Sequence, residues 1–461
     1  MRISSRLRDT IDKDPVIKTI RAAAARCGST VHLVGGYLRD RLLGRDSRDY
    51  DFLLQGNPGK FLEAIAAALG GRPVRFRKGG ITNHLLATAD GRCDFVELEP
   101  GDDLTEELRR RDFTINTMAW NLRTGTFADP FEGMTDLREK RIRQVHSGSL
   151  RDDPLRILRG IRIACERQGF SLEEETFRSM TAESERLVRV AGERVREEID
   201  RLWLSGKAAR GLDWMRRTGA LFCLWPEFRP MTELRQAEDQ IVMDHTLLVV
   251  GNAEKWPRLG RVFSLEGCLE QEDLVVLLYA ALFHDLGKPA TFQTDPDGLI
   301  HFHGHEKDSR SQAEDILMRL RSPRARTERI LRLVLHHLRV GWLTAGRPTE
   351  RALRRVIRTL QGDLPFLLLH SLADRKGSPS RGRGEAIRHH RLCRELYELF
   401  REKGPSILDP PRLVSGEDVM RILGIPSGPR VGEILREVEE LQLEGEIRNR
   451  RQALRHLGSQ R

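Results

Sequence analysis

The chain has 461 residues, and its 78 lysines and arginines against 68 aspartates and glutamates give a formal net charge of +10. This length predicts roughly three domains, and a basic surface suits a polyanionic partner without requiring one. The six cysteines include no Cys-x-x-Cys pair, which excludes a disulfide framework and a zinc ribbon. No segment approaches the ~18 apolar residues of a membrane helix and the N-terminus has no apolar signal region, so we expect a soluble, cytoplasmic protein.

The first 150 residues, which we assign to one domain, alternate helical segments with short β-rich runs and predict a small mixed α/β sheet. The runs read VHLVGG, YDFLLQG, RPVRFRK, ITNHLLATAD, CDFVELE and INTMAWNL. The first run ends in Gly35-Gly36 and leads into a short helix, which we expect Gly44 to end in a left-handed conformation. A diglycine lets the backbone approach an anion, and the start of the helix directs free amides to the same place.

Two aspartates, Asp49 and Asp51, occupy alternate positions of the second run, so their carboxylates face the same side. Such a pair holds divalent metal ions over a triphosphate, or alternatively decorates a turn. Asp94 in the fifth run is the candidate third carboxylate, and a strand-edge aspartate is its alternative. On the helix after the diglycine, Arg39 is predicted to pair with a triphosphate; the alternative is a surface ion pair with Asp40, worth under about 1 kcal/mol.

Two later segments are rich in arginine and aspartate. RRRDFTINTMAW places Arg110, Arg111 and Asp112 before an apolar run that contains Asn116, which indicates either phosphate neutralisation or a solvated basic patch. RDDPLRILRGIR then places four charged residues on one predicted helix, namely Asp152, Asp153, Arg156 and Arg159. An aspartate beside an arginine can recognise the Watson-Crick edge of a base, and an intrahelical salt bridge is the alternative.

From residue 151 onward, apolar positions recur at three- and four-residue spacing, so we expect all-α domains. We divide this part into residues 151–235, 236–380 and 381–461. The stretch from about 239 to 374 holds eight of the 14 histidines, which marks it as the place for a second metal site. The polar and basic stretch DRKGSPSRGRGEAIRHHR, residues 374–391, is typical of a linker or an exposed turn.

In this order, GGYLRDRLLG…DYD, RRDFTIN, DPFEGMTDL, DDPLRILR and ERVREEI resemble the successive motifs of the class II tRNA nucleotidyltransferase and bacterial poly(A) polymerase family. The resemblance is close over about residues 25–205 and looser toward the C-terminus. It implies an α/β nucleotidyltransferase head, a helical neck that selects the nucleotide, an HD domain and a helical tail, in the four ranges given above. Asp152 stands where the family usually has glutamate, so the carboxylate is kept.

The resemblance also assigns roles to single residues. Asp49 and Asp51 would bind Mg²⁺, whereas Asp94 as the third catalytic carboxylate rests on the two-metal argument given above. Asp153 and Arg156 would select cytosine or adenine, whereas Arg110 and Asp112 would lie by the nucleotide and its ribose. The whole nucleotide-binding set that we predict is Gly35, Gly36, Arg39, Asp40, Arg110, Asp112, Asn116, Asp153, Arg156, Arg159 and Arg194.

The implied reaction is attack of an RNA 3′-hydroxyl on the α-phosphate of a nucleoside triphosphate, with release of pyrophosphate. Only Pro100 to Arg109 separates CDFVELE from RRDFTIN, whereas full CCA-adding members carry a longer flexible loop there. Members that add only two cytidines resemble this chain in their shortened segment, so we expect CTP-dependent CC addition to tRNA, followed by a separate A-adding enzyme. A full CCA-adding enzyme that also uses ATP is the alternative, and so is a poly(A) polymerase, although PVRFRKGGITNHLL matches its Gly-basic-basic-Phe segment poorly.

The histidine-rich stretch resembles the HD phosphohydrolase superfamily, in which such residues hold one or two divalent metals that activate water. The residues that carry this resemblance are His245, His284, Asp285, His305, His336 and Asp374. His301, His303 and His337 are alternates, and the identity of the metal is open. Such a domain either hydrolyses phosphate esters at RNA ends or persists as a scaffold.

Two rival functions are compatible with these motifs. In the first, the HD region would be the enzyme and the head would only dock RNA. In the second, the chain would be a non-enzymatic binder of structured RNA. All acidic positions of the head are present, which argues against an inactive head. A tRNA partner would be gripped at its acceptor stem and elbow by shape and charge, with Arg375 to Arg394 and RNRRQALRHLGSQR as candidate contacts or as ordinary solvated surface.

Overall fold

The computed structural model describes residues 5–78, 81–89, 91–99, 101–237, 239–256, 263, 270–346, 348–378, 382–408, 411–443 and 445–459. Some residues of segments named in the sequence analysis lie outside the described residues. They are 79–80, 90 and 100 in the head, 379–381 in the predicted linker and 460–461 at the end of the last basic segment. The chain forms two compact units, Met1–Val190 with Trp214–Cys223, and Ala191–Asp213 with Leu224–Arg461. The finer division into four domains stays a prediction.

The first unit contains a mixed sheet of seven strands in the order β3-β4-β5-β2-β1-β6-β7. The strands are β1 Thr30–Val34, β2 Asp49–Gln55, β3 Val74–Lys78, β4 Ile81–Thr88, β5 Gly91–Leu98, β6 Ala119–Asn121 and β7 Phe127–Ala128. β2 and β5 run parallel, and the other neighbouring strands run antiparallel. The predicted α/β head is therefore confirmed.

Twelve described helices precede residue 225. They are α1 Ser5–Lys13, α2 Pro15–Cys27, α3 Gly36–Leu42, α4 Pro58–Leu69, α5 Leu104–Arg109, α6 Gly133–Glu139, α7 Ser149–Asp152, α8 Arg156–Glu166, α9 Glu174–Glu183, α10 Gly192–Leu204, α11 Ala208–Arg217 and α12 Ala220–Leu224. A two-residue pair, β8 Arg141–Ile142 and β9 Ser171–Leu172, connects the sheet region with the helices.

The two faces of the large sheet differ in what covers them. On one face, Phe52 and Phe95 are buried and stacked, and Phe61 of α4 meets Phe95 edge-on. The other face carries Asp49, Asp51 and Asp94, and we call it the carboxylate face. Helix α5 packs on part of this face through Leu108, in a cluster with Leu53 and Leu98, and the rest of it stays open.

Two local expectations are wrong. Only Ala119–Asn121 of the run INTMAWNL is a strand, because Thr114–Asn116 forms a 3₁₀ turn whose Thr114 hydroxyl donates to the buried Asp136 carboxylate. The four charged residues of RDDPLRILRGIR do not share one helix. Pro154 disfavours the helical conformation at Asp153, which is extended at φ −141° and ψ 97°, so α7 ends at Asp152 and α8 begins two residues after the proline.

In the residues that the structure describes, the regular elements of the second unit are helices and two short hairpins. The hairpins are β10 Arg235–Ala237 with β11 Gln240–Ile241, and β12 Gln293–Thr294 with β13 Ile300–His301. The further helices are α13 Val242–Ala253, α14 Gln271–Phe283, α15 His305–Arg319, α16 Arg324–His336, α17 Arg339–Thr344, α18 Glu350–Leu360, α19 Leu364–Gly377, α20 Arg383–Leu408, α21 Gly416–Leu423, α22 Pro429–Leu443 and α23 Arg450–Ser459.

Helix α14 is the centre of the second unit, since every residue from Val275 to Phe283 is buried. No helix in the described part of the chain combines the length and the apolarity needed to cross a bilayer. The predicted linker is wrong over part of its length, because α20 begins at Arg383. His389 of that helix is buried and bonds the hydroxyls of Thr344 and Ser371, which fixes the helix to the unit.

Candidate functional site

The diglycine lies directly against the carboxylates. Gly35 has φ +73°, and a Cβ there would meet Asp51 Oδ2 at 2.5 Å and Arg111 Nη1 at 2.7 Å. Only glycine fits this place, because a side chain would strain the backbone and displace both charged groups. Gly36 begins α3, and Gly44 has φ +72° and ends it with the two backbone bonds of a Schellman motif, as predicted.

Asp51 and Asp94 pair in register across parallel β2 and β5, and Asp49 projects from the same face two residues before Asp51. Burial raises the pKa of the Asp51 carboxyl, and Asp49 and Asp94 raise it further, while Arg111 lowers it. Burial also raises the pKa of Asp94, which Arg92 opposes by an ion pair at 3.0 Å. Carboxylates that are costly to ionise side by side gain most from divalent cations.

An all-oxygen donor set suits Mg²⁺, so these residues fit the ion that the sequence predicts. The three carboxylates do not converge on one point, however. Among the residues that the structure describes, both groups of three ligand atoms within 4.8 Å of one another lie in the second unit. In the head, Arg111 and Arg92 occupy the places beside Asp51 and Asp94. A bound triphosphate would draw such arginines onto its own oxygens.

Of the adjacent arginines, Arg111 faces the site and Arg110 does not. The Arg110 guanidinium donates to Glu107 at 2.9 Å, and the side chain is 63% exposed. Arg110 therefore points away from the carboxylates, and its role at the nucleotide stays a prediction. Arg111, which the sequence offers only as a phosphate-neutralising neighbour, is the one that lies beside Asp51. Two adjacent basic residues at the end of a helix carry no signal of which one points inward.

A buried polar network joins α3 to the segment RRDFTIN. Arg39 Nη1 donates to Asn116 Oδ1 at 2.7 Å, and Asn116 Nδ2 donates to Asp112 Oδ1 at 2.8 Å. Arg159 Nη1 donates to the other oxygen of Asp112 at 3.3 Å. Arg39 is 9% exposed and also pairs with Asp40, so it is neither a surface ion pair nor an open phosphate contact. It positions Asn116 and Asp112.

The residues predicted to recognise the base lie beside this network. Arg156 donates to Ser149 Oγ at 2.8 Å and to the carbonyl of Arg110, which fastens α8 to α7 and to the arginine segment. Asp153 Oδ1 accepts from the backbone N–H of Leu155 at 3.3 Å. Arg194 lies in the first turn of α10, in the second unit. Base recognition by Asp153 and Arg156, with support from Arg194, stays a prediction.

A second cluster lies at the ends of the helices of the second unit. Four buried histidines each donate from Nδ1 to a backbone carbonyl. The pairs are His245 to Gly377 at 3.2 Å, His284 to Ala281 at 2.9 Å, His305 to Phe302 at 2.8 Å and His337 to Val334 at 2.7 Å. In the neutral imidazole this leaves a lone pair on every Nε2, and these atoms face each other at 3.3 Å and 3.2 Å. Facing lone pairs are the arrangement that a cation relieves.

Asp285 connects the two halves of this cluster. Its Oδ2 lies 3.0 Å from His284 Nε2 and 3.5 Å from His245 Nε2, and its Oδ1 lies 3.2 Å from His305 Nε2. Asp374 completes the first half at 3.1 Å from His245 Nε2. The donors therefore fit two divalent cations that share the Asp285 carboxylate.

The structure corrects one predicted ligand. His337, which follows the last residue of α16, points into the cluster, whereas His336 lies half-buried among Arg339 and Arg332. Burial and those arginines lower the pKa of His336 to about 4. Adjacent residues of a helix project about 100° apart, so only one of the two can face the cluster. His301 and His303 line the cavity of 310 Å³ above it.

Comparison with known proteins agrees with this division of sites. Four families match consecutive parts of the chain: the poly A polymerase head domain over residues 31–143, the probable RNA- and SrmB-binding site of polymerase A over 169–231, the HD domain over 242–362 and a putative tRNA nucleotidyltransferase domain 2 over 407–457.

Full-length relatives extend the likeness. An A-adding tRNA nucleotidyltransferase of Deinococcus radiodurans is 35% identical over 90% of this chain and 92% of its own. A CC-adding tRNA nucleotidyltransferase of Thermus thermophilus is 34% identical over 91% of both. The Thermotoga maritima CCA-adding enzyme complexed with tRNA shares the fold, with a TM-score of 0.64 and 23% identity over 100% of both chains. The chain belongs to the class II tRNA nucleotidyltransferase and bacterial poly(A) polymerase family, with an HD domain.

Proposed function

We propose that this chain adds nucleotides from CTP to the 3′ end of tRNA, two cytidines in succession, and releases pyrophosphate. The observation that carries the proposal is the in-register pair Asp51 and Asp94 beside the Gly35-Gly36 turn. This places carboxylates for metal ions next to a backbone that can approach a triphosphate.

In the proposed reaction, the three carboxylates Asp49, Asp51 and Asp94 hold Mg²⁺. When bound there, Mg²⁺ would supply positive charge that lowers the pKa of the attacking 3′-hydroxyl and neutralises the leaving pyrophosphate. Arg111 leaves Asp51 for the phosphates, and the amides after Gly35 bind the same group. Asp112, fixed by Asn116, accepts a bond from the ribose, and Asp153 with Arg156 recognises the base.

The choice of CTP rests on the shortened segment. Residues 104–109 form the capped helix α5, with Asp103 accepting from the Thr105 N–H and with Leu108 buried on the carboxylate face. A helix fixed in this way leaves the chain little freedom to reshape the pocket from cytosine to adenine. The A-adding and CC-adding relatives are about equally similar, so identity alone favours neither nucleotide. A separate A-adding enzyme would complete the tRNA end.

Steady-state kinetics with two acceptors tests this choice. One acceptor is tRNA that lacks its 3′ CCA, and the other is tRNA that ends in CC. We expect incorporation of CTP on the first and negligible incorporation of ATP on the second. Efficient addition of ATP to the CC end would overturn the CC assignment, while leaving a nucleotidyltransferase.

A second activity is favoured by the cluster of the second unit. We propose that it binds two divalent metals and hydrolyses phosphate esters at RNA ends, including 2′,3′-cyclic phosphates. The bridging Asp285, the cavity of 310 Å³ and the Lys288 ammonium, 2.6 Å from Asp285, support this proposal. Bound metals would supply an activated water there. Loss of cyclic phosphate hydrolysis in His284→Ala, with hydrolysis kept in Asp49→Ala, is the expected result; equal rates in both variants would contradict it.

A further inference from the structure

Two large apolar side chains are exposed on the edge of the catalytic sheet. Val74 is 56% exposed and Phe76 is 42% exposed, both on β3, which is the outermost strand. An exposed aromatic residue on a sheet edge is a liability for aggregation unless it has a partner. Arg75 and Arg77 alternate with them and are also exposed, so the strand carries positive charge. A negatively charged partner with flat apolar faces fits this composition.

The register of the sheet places both apolar residues on the carboxylate face. Residues paired across neighbouring strands project from the same face. Asp51 pairs with Asp94, Asp94 with Leu85, and Leu85 with Val74. The next row of the same face runs from Leu53 through Val96 and Asn83 to Phe76. Since strands lie about 4.8 Å apart, Val74 is about 10 Å from Asp94 across the sheet.

The half-buried Leu85 lies between Asp94 and the edge strand. An apolar strip therefore runs from the catalytic carboxylates to the edge of the sheet.

The in-line geometry of phosphoryl transfer indicates which substrate contacts this strip. The diglycine follows β1, on one side of Asp51, whereas β5, β4 and β3 lie on the other side. In a phosphoryl transfer the attacking and leaving oxygens are roughly in line. With the triphosphate on the β1 side, the RNA that brings the attacking hydroxyl approaches from the side of β5 to β3.

We propose that Phe76, with Val74 and Leu85, forms a stacking platform for a base at the 3′ end of the acceptor RNA. The proposal rests on the proposed function of the head. Aromatic side chains stack every base, so the platform serves successive additions without selecting sequence. Arg75 and Arg77 project from the opposite face of β3, where they add positive charge at the edge of the sheet for the RNA backbone. Phe76 is a positioning residue for the primer and not for the incoming nucleotide.

Kinetics on the full-length protein tests this role. Loss of one stacking contact weakens RNA binding by roughly ten-fold. We expect Phe76→Ala to raise the KM for tRNA lacking CCA by about this factor, with the KM for CTP unchanged, and Phe76→Tyr to restore it. Phe292→Ala is the matched control, since Phe292 is 45% exposed and lies in the second unit.

A binding measurement separates the platform from catalysis. In tRNA with 2-aminopurine as its 3′-terminal base, stacking on wild-type protein should quench the fluorescence, and Phe76→Ala should restore it. The proposal is contradicted if Phe76→Ala matches wild type in both the KM for tRNA and the quenching. It is also contradicted if Phe76→Ala changes only the oligomeric state, which would indicate that the strip binds a protein partner. Absence of any incorporation by wild type would instead overturn the function of the head.

Discussion

Asp51 and Asp94 stand opposite each other on parallel β2 and β5, and the carboxylate of Asp51 lies against the Gly35 turn. The parallel pair is the feature that joins them, since β3 and β4 lie between the two strands in sequence. Burial raises the pKa of both carboxyls, so the site is costly to keep ionised without cations. The proposed metal-dependent activity of the head rests on this relationship.

Removal of one head carboxylate tests that site. Mutation of a residue that only supports a metal ligand lowers activity by roughly 10- to 100-fold. Asp49 is a predicted ligand itself, so we expect Asp49→Ala to lower CTP incorporation by more than about 100-fold. Asp49 is exposed, and its loss should leave the melting temperature unchanged. Metal content of the second unit, measured by mass spectrometry, is the control. Incorporation within a few-fold of wild type would remove Asp49 from the mechanism.

The adjacent arginines provide a matched pair. A charge-assisted bond to a phosphate contributes about 1.5–3 kcal/mol, so Arg111→Ala should lower kcat/KM for CTP by roughly ten- to a hundred-fold. Arg110→Ala should stay within about three-fold, because the exposed Arg110 guanidinium pairs with Glu107 and not with the carboxylates of the site. If the two variants show the reverse order, the inward orientation of Arg111 is not the functional one.

The adjacent histidines provide a second pair. We expect wild-type protein to bind two divalent metals per chain, and His337→Ala to weaken binding by at least roughly ten-fold. His336→Ala should bind metal as wild type does, since His336 lies outside the cluster. Titration with Mn²⁺ or Zn²⁺ followed by calorimetry measures both. Unchanged affinity in His337→Ala would show that the cluster is not a metal site.

Stability against pH tests the Asp112 network. Burial alone would raise the pKa of Asp112, but Arg159 and the bonds from Asn116 and Phe113 outweigh it, and the pKa is lowered. A lowered carboxyl pKa stabilises the fold above the unfolded value of about 3.9, and this contribution is lost as the pH falls through the folded pKa. Asp112→Asn should therefore destabilise by about 1–3 kcal/mol at pH 7 and by progressively less below about pH 4.

Thermal unfolding of the full chain between pH 7 and pH 3 measures this difference. Asp46→Asn is the control, because that carboxylate is 96% exposed and its surface pair should change stability by under about 0.5 kcal/mol at any pH. A constant difference between Asp112→Asn and wild type down to pH 3 would mean that ionisation of Asp112 does not support the fold.

The sequence was sufficient for features that depend on local chemistry. The diglycine, the left-handed Gly44 and the alternation of Asp49 with Asp51 follow from backbone conformation and strand period, and the structure has all of them. The in-register Asp94 required the strand order, which no local pattern contains. Asp94 was predicted as a third carboxylate only because two-metal sites commonly use three, with a strand-edge aspartate as the alternative.

Other residues depended on rotation about a helix or on a single proline. His336 and His337 are chemically identical neighbours, and so are Arg110 and Arg111. Only the backbone conformation at the end of α16 and after the end of α5 decides which member of each pair faces inward. Pro154 made Asp153 extended, an effect that helical spacing ignores. Arg39 was expected to contact phosphates because its position after the diglycine suggests that role. Its buried partner Asn116 is 77 residues away, so the sequence does not show that the two side chains meet.

The most direct test of the central claim is the length of the product formed on tRNA that lacks its 3′ CCA. Purified protein is incubated with this tRNA, Mg²⁺ and both CTP and ATP, and the product is resolved on a sequencing gel. We predict a product extended by two cytidines that stays at that length. A tRNA that remains unextended by the wild-type protein would contradict the assignment of the head as a nucleotidyltransferase.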